Sequence, residues 1–157
     1  MNIYLIPEGR HLLSGVEPIF MRACDEFSCC DNEQTHDNMR VIPSSIWDDS
    51  YGYLFVIDGR TYLAYEDPAD GYRSYAVCEP AQDQTVSRDY MFNPQDVWIE
   101  TREVSDNDED VQEIVIRNAT GDEIFVIATD YFDDYYPVGR VTYKPENLPC
   151  NAKQLPS

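Results

Sequence analysis

Lysine is nearly missing from this sequence. Lys144 and Lys153 are the two present in 157 residues, and nine arginines raise the cations to 11 against 30 acidic residues. Direct nucleic-acid binding is therefore not expected, because proteins that track a phosphate backbone present clustered Lys and Arg. Long apolar runs are also absent. No stretch approaches the roughly 20 residues of a membrane-spanning helix, and an acidic surface is repelled by anionic headgroups. The opening MNIYLIPEGR has too short an apolar run, and the wrong flanks, for a secretory signal. A cytoplasmic location is the resulting expectation. Histidine is scarce too, with His11 and His36 standing in no recognisable catalytic motif. There is no nucleophile elbow, no phosphate-cradling glycine loop and no H-E-x-x-H. Carboxylates are abundant, but nothing in their spacing selects a pair, so no catalytic residue is assigned and a non-enzymatic role is favoured.

What the chain does have is size, aromatics and negative charge. Its length suits a single acidic domain spanning residues 1–157, with an extended tail from about 145. Twelve Tyr, six Phe and two Trp argue against disorder, since acidic disordered segments are poor in aromatics. The net charge of −19 exceeds the magnitude of about 2–8 that keeps a small domain soluble. The excess costs stability by self-repulsion and calls for a cause.

Five cysteines, an odd number with Cys29 and Cys30 adjacent, fit reduced thiols better than a disulfide framework. Cys24, Cys29, Cys30 and His36 are the nearest approach to a zinc site, but they lack the paired C-x2-C knuckles of one. Ser105-Asp106-Asn107-Asp108-Glu109-Asp110 invites a calcium reading. Counted from Asp106, however, the positions that need Gly and a bidentate acid hold Val111 and Arg117, so a solvated hairpin turn is expected. No metal or cofactor is assigned. Asn118-Ala119-Thr120 matches a glycosylation acceptor and reads more simply as a turn.

The pattern of apolar residues predicts an α+β domain: a mostly antiparallel, meander-like sheet of six to eight strands with one N-terminal helix packed on it. For the helix, Ser14 and Glu17 stand in capping-box spacing, and Pro18 falls in the first turn. Val16, Ile19, Phe20, Ala23, Cys24 and Phe27 then recur at helical spacing. Residues 3–6 read as a strand and 31–38 as a polar loop. Two strands, 53–57 and 60–65, flank Asp58-Gly59, a pair that favours the positive φ angles of a type I′ hairpin turn. Further strands are expected at 72–78, 97–104, 111–117, 123–129 and 138–143, with 82–95 less regular between Pro80 and Pro94. Short connections favour antiparallel pairing.

The acidic clusters are the remaining signal: Asp48-Asp49, Glu66-Asp67 with Asp70, residues 106–110 with Glu113, and Asp130 with Asp133-Asp134. All are expected at strand ends or loops. Two carry their own aromatics, Trp47-Asp48-Asp49-Ser50-Tyr51 and Asp130-Tyr131-Phe132-Asp133-Asp134-Tyr135-Tyr136. Any single cluster suits a solvated surface, but the sum favours a basic protein partner that itself binds nucleic acid. Carboxylates repeating along one face of a strand every ~6.7 Å can stand in a rigid row, and Tyr or Trp supply interface anchors. The expected contacts are Asp48, Asp49, Asp106, Asp108, Glu109, Asp110, Asp130, Asp133, Asp134 and Tyr135. In size, charge and aromatic content the chain resembles the DNA-mimic proteins that phages and mobile elements direct against restriction or CRISPR nucleases. That resemblance implies an anti-restriction or anti-CRISPR inhibitor. The competing reading is a small hydrolase or ligand-binding domain whose acidity reflects solubility or salt adaptation.

Overall fold

The computed structural model describes residues 6–24, 34–46, 48–69, 73–106, 109–129 and 140–148. Within them the chain is almost entirely β. The strands are β1 (Gly9–Ala23), β2 (Thr35–His36), β3 (Met39–Ser44), β4 (Ser50–Ile57), β5 (Arg60–Ala69), β6 (Arg73–Pro80), β7 (Met91–Asp106), β8 (Glu109–Arg117), β9 (Glu123–Thr129) and β10 (Arg140–Tyr143). Two single 3-10 turns, Arg88–Tyr90 and Pro145–Asn147, are the helical elements among these residues. No helix is long and apolar enough to cross a membrane among the described residues.

The expected α+β architecture is therefore wrong, and the six to eight strands become ten. The N-terminal helix is a strand: β1 covers Ser14, Val16, Glu17, Pro18, Ile19, Phe20 and Ala23, while Phe27 lies outside the described residues. The misreading has a physical cause. β1 lies at the centre of the sheet and is buried on both faces, so its apolar residues do not alternate. A bulge between Leu13 and Gly15 shifts the alternation by one residue. Together these mimic a 3.6-residue period. Pro18, unusual in a central strand, is tolerated because it falls where one edge of β1 is unpaired among the described residues. β7 pairs with β1 as far as Gly15 and β3 begins only at Ile19, so no ladder partner on that edge needs its missing N–H.

The sheet runs β10-β9-β8-β7-β1-β4-β5-β6, with β3 parallel to β1 and β2 hairpinned onto β3. All other pairings are antiparallel. The Asp58-Gly59 hairpin forms as read from sequence, with φ of 53° and 79°. A second turn of the same hand, Asp37-Asn38 with φ of 51° and 63°, joins β2 to β3 inside the expected polar loop. β7 starts at Met91 and runs through Pro94, well before the expected residue 97. Residues 3–5 of the expected first strand lie outside the described residues.

Two meanders, β4-β5-β6 and β7 to β10, thus flank β1. They close on each other through aromatic rings. Phe125 of β9 lies 5.1 Å from Phe55, 5.7 Å from Tyr53 and 4.7 Å from Tyr143. Ile57, Tyr62, Ala64, Val97, Ile99, Ile114, Ile116 and Ile127 fill the same core. A second core lies on the opposite face of β1, β4 and β5. There Ile19, Met21, Leu54, Val56 and Leu63 are roofed by Ile42, Ile46 and Val86.

Candidate functional site: an acidic surface with an aromatic pocket

Most of the cations are tied into ion pairs. Seven of the nine Lys and Arg whose side chains are described stand in ion pairs. Glu17, inside the second core, receives Arg40 at 2.7 and 3.1 Å and the Ser87 N–H at 2.6 Å. Glu113, also buried, is held by Arg102 at 2.7 Å and Arg140 at 3.0 Å. Glu123 gathers Arg102, Arg117 and Lys144, and Arg117 also reaches Glu100. These groups form one network on the outer side of β7 to β10. The Glu113 hydrogen bond holds the Arg102 guanidinium above its ordinary pKa. Buried carboxylates need such partners because an unpaired charge is expensive to desolvate.

Six other carboxylates face solvent. Asp48, Asp83, Asp89, Glu103, Asp122 and Glu146 are exposed, with no Lys or Arg in ion-pair reach among the described residues. Of the ten contact residues expected from sequence, the structure brings Asp48 and Asp49 to one exposed corner. Asp48 accepts the Asp49 N–H at 2.8 Å, and Asp49 accepts from Arg22 at 2.9 Å and the Ala23 N–H at 2.8 Å. Asp106, Glu109 and Asp110 lie on the closing β7-β8 ladder, where Asp106 pairs with Glu109 and Ser105 with Asp110. This is the hairpin expected there. Asp108, Asp130, Asp133, Asp134 and Tyr135 lie outside the described residues.

Beside Asp49 is a pocket of about 380 Å³ lined by Asp49, Ser50, Tyr51, Tyr53, Glu66 and Val141. The alternation that points Phe55 and Tyr53 of β4, and Tyr62 and Ala64 of β5, into the first core brings Tyr51 and Glu66 to its open end. Glu66 was expected in a loop, but β5 continues to Ala69 and leaves it half-buried. Burial raises its carboxyl above the usual range, and the Val141 N–H donated from β10 opposes that shift. Tyr53 is also raised by burial. Ser50 contributes a buried hydroxyl with no hydrogen-bond partner among the described residues. Of the lining residues only Asp49 was among the ten expected contacts; Ser50, Tyr51, Tyr53, Glu66 and Val141 were not. The hairpin register could have found Glu66: with Ile57 opposite Arg60 and Gly52 opposite Tyr65, the next step brings Tyr51 beside Glu66.

The cysteines depart from expectation. Cys24 is disulfide-bonded, so its sulfur is not a thiolate ligand. Cys78 is a free, buried thiol. His36 stacks on Phe20 at 4.0 Å and pairs with Asp37 at 3.5 Å. Cys29 and Cys30 lie outside the described residues. The Asn118-Ala119-Thr120 tripeptide is a turn, as expected. Its Asn118 side chain accepts from the Thr120 hydroxyl at 2.8 Å and donates to the Asn147 carbonyl at 2.5 Å, which occupies the nitrogen a glycan would take.

Compared with known proteins, the chain matches no family model, no curated protein and no solved structure.

Proposed function

We propose that this protein is a non-enzymatic inhibitor or regulator that binds the basic surface of a nucleic-acid-binding protein, in the manner of a DNA mimic. A nuclease of a restriction or CRISPR system is the kind of partner meant. The observation that carries this reading is the division of charge. Arg40, Arg102, Arg117, Arg140 and Lys144 are committed to the buried or half-buried Glu17, Glu113 and Glu123, whereas Asp48, Asp83, Asp89, Glu103, Asp122 and Glu146 stand exposed with no Lys or Arg in ion-pair reach among the described residues of a chain of net charge −19. Such a surface attracts a cationic partner at long range and repels nucleic acid itself. A sheet also suits mimicry, because residues on one face of a strand repeat at a fixed spacing. The reading includes a cytoplasmic setting. The Cys24 disulfide weighs against that part, since disulfides persist mainly in oxidising compartments.

The test is binding to purified restriction and CRISPR nucleases across a salt series, with duplex DNA as competitor. The expected result is affinity that falls steeply with salt and is displaced by duplex DNA, and that weakens on Asp133→Lys with Asp134→Lys. Binding that duplex DNA does not displace, or no binding to any such nuclease, would overturn the reading. Intact affinity in the charge-reversed variant would remove that cluster from the contact surface.

The pocket is the observation that favours a second reading, a small hydrolase or ligand-binding domain. It joins two carboxylates in unlike environments, Asp49 ion-paired to Arg22 and Glu66 half-buried, as acid–base pairs require. Loss of a hydrolytic activity in Glu66→Gln would support it over the mimic.

A further inference from the structure

We infer that the pocket between β4, β5 and β10 receives a guanidinium group, an arginine side chain presented by the basic partner; this rests on the basic-partner reading above. The pocket has the three components that a guanidinium uses. Tyr51 and Tyr53 supply aromatic rings, Glu66 and Asp49 supply carboxylates, and Ser50 supplies a buried hydroxyl with no partner among the described residues. A planar guanidinium stacks on aromatic faces and donates through a fork to carboxylates, whereas a lysine ammonium is a compact, strongly hydrated point charge. At about 380 Å³ the pocket lies near the lower end of small-molecule sites, which run from roughly 300 to 1,000 Å³. That suits one side chain better than an extended ligand.

The adjoining corner of the molecule already holds an arginine in this way. The Arg22 guanidinium sits 4.8 Å over the Phe20 ring and donates to Asp49 at 2.9 Å, while Tyr51 packs edge-on against Phe20 at 5.3 Å. The pocket, which Asp49 also lines, repeats that combination of ring and carboxylate with Glu66 as the second acid. Among the described residues the Val141 N–H is what offsets the burial of Glu66, so an incoming cation would supply further compensation.

The experiment titrates the protein with N-acetyl-arginine amide and, separately, with its neutral citrulline counterpart, followed by NMR. Two variants accompany the parent chain. Glu66→Gln keeps an oxygen for the Val141 N–H and removes the charge; Tyr51→Ala alters the pocket at an exposed ring. Expected are saturable shifts at Tyr51, Tyr53 and Ser50 with the arginine probe and none with citrulline. Glu66→Gln should weaken binding roughly tenfold or more, the loss of one charge-assisted pair, and Tyr51→Ala should weaken it too. Equal binding of both probes, no saturable shift, or unchanged affinity in a folded Glu66→Gln would overturn the inference. The readout needs no partner, so its failure leaves the mimic reading standing. Conversely, a positive result with no nuclease bound would sink the mimic reading and not the pocket.

Discussion

Glu17 of β1 and Arg40 of β3 are joined by a two-pronged ion pair, and the Glu17 carboxylate is only 5% exposed. The same carboxylate takes the Ser87 N–H. One acid thus ties the parallel strand β3, and the connection that follows β6, onto the central strand.

Removing one member should therefore cost more than removing both. Arg40→Leu leaves a buried anion without its cation and is expected to destabilise by about 3–5 kcal/mol. Adding Glu17→Met to it should recover much of that loss. Urea unfolding of the two single variants and the double variant measures the coupling. A loss of under about 1 kcal/mol in Arg40→Leu would mean the charge is not committed to this pair.

Gly52 is expected to tolerate no side chain. A Cβ there would meet the Ala64 carbonyl oxygen at 2.5 Å and the Tyr65 Cβ at 2.6 Å. Backbone would have to move, since neither contact is the end of a flexible side chain. Gly52→Ala should cost about 1–3 kcal/mol, the range of overpacked interiors. Because Gly52 lies between Tyr51 and Tyr53, it should also weaken the arginine probe. A thermal melt unchanged from the parent would refute the close approach.

The His11–Asp58 contact makes stability depend on acid pH. Asp58 accepts from His11 at 2.5 Å and from the Leu12 N–H at 2.9 Å, and these bonds lower its pKa, the His11 hydrogen bond first. A carboxylate lowered in the folded state stabilises above its unfolded pKa of about 3.9, and that contribution is lost as pH falls through the lower folded value. Asp58→Asn keeps a residue suited to positive φ and removes the charge. Unfolding experiments should find the parent more stable than Asp58→Asn at pH 6, with the gap closing below about pH 4. A gap that is the same at pH 6 and pH 3 would rule out the charge as its origin.

Cys78 should report global unfolding. It is 1% exposed, and burial pushes its thiol up to about 12, so neither access nor thiolate is available in the native state. Iodoacetamide at pH 8 should leave Cys78 unmodified for hours and label it at once in denaturant, as mass spectrometry of its peptide would read. Labelling of the native chain within minutes would mean that β6 opens locally.

The β4-β5 hairpin was legible because its signal is local: alternating residues on either side of a dipeptide that favours positive φ. β9 was legible for the same reason, as a short apolar run between turns. β1 was not, because what makes it a strand is distant in sequence. Gly9 pairs with Ile99 and Leu13 with Ile57, and nothing within the segment 9–23 announces partners that far away. Ser14 and Glu17 look like a helix cap, yet Ser14 stands at a bulge and Glu17 is a buried acid awaiting Arg40. The site was half legible. Asp49, Ser50 and Tyr51 stood together in one cluster, whereas Glu66 and Val141 arrive only through strand pairing and closure of the two meanders.

The shared edge of β1 has a consequence for how the chain reaches its native state. β1 precedes all of its partners in the chain, and one edge pairs with β3 and β7 while the other pairs with β4. During synthesis the β1-β4-β5 portion can assemble while β7 is still to come, leaving the first half of β1 as a bare sheet edge. Distant pairings of this kind fold slowly and leave such edges open to wrong partners. Slowing translation after β6 is therefore expected to expose a protease-sensitive or aggregation-prone interval that pairing of β7 with β1 ends.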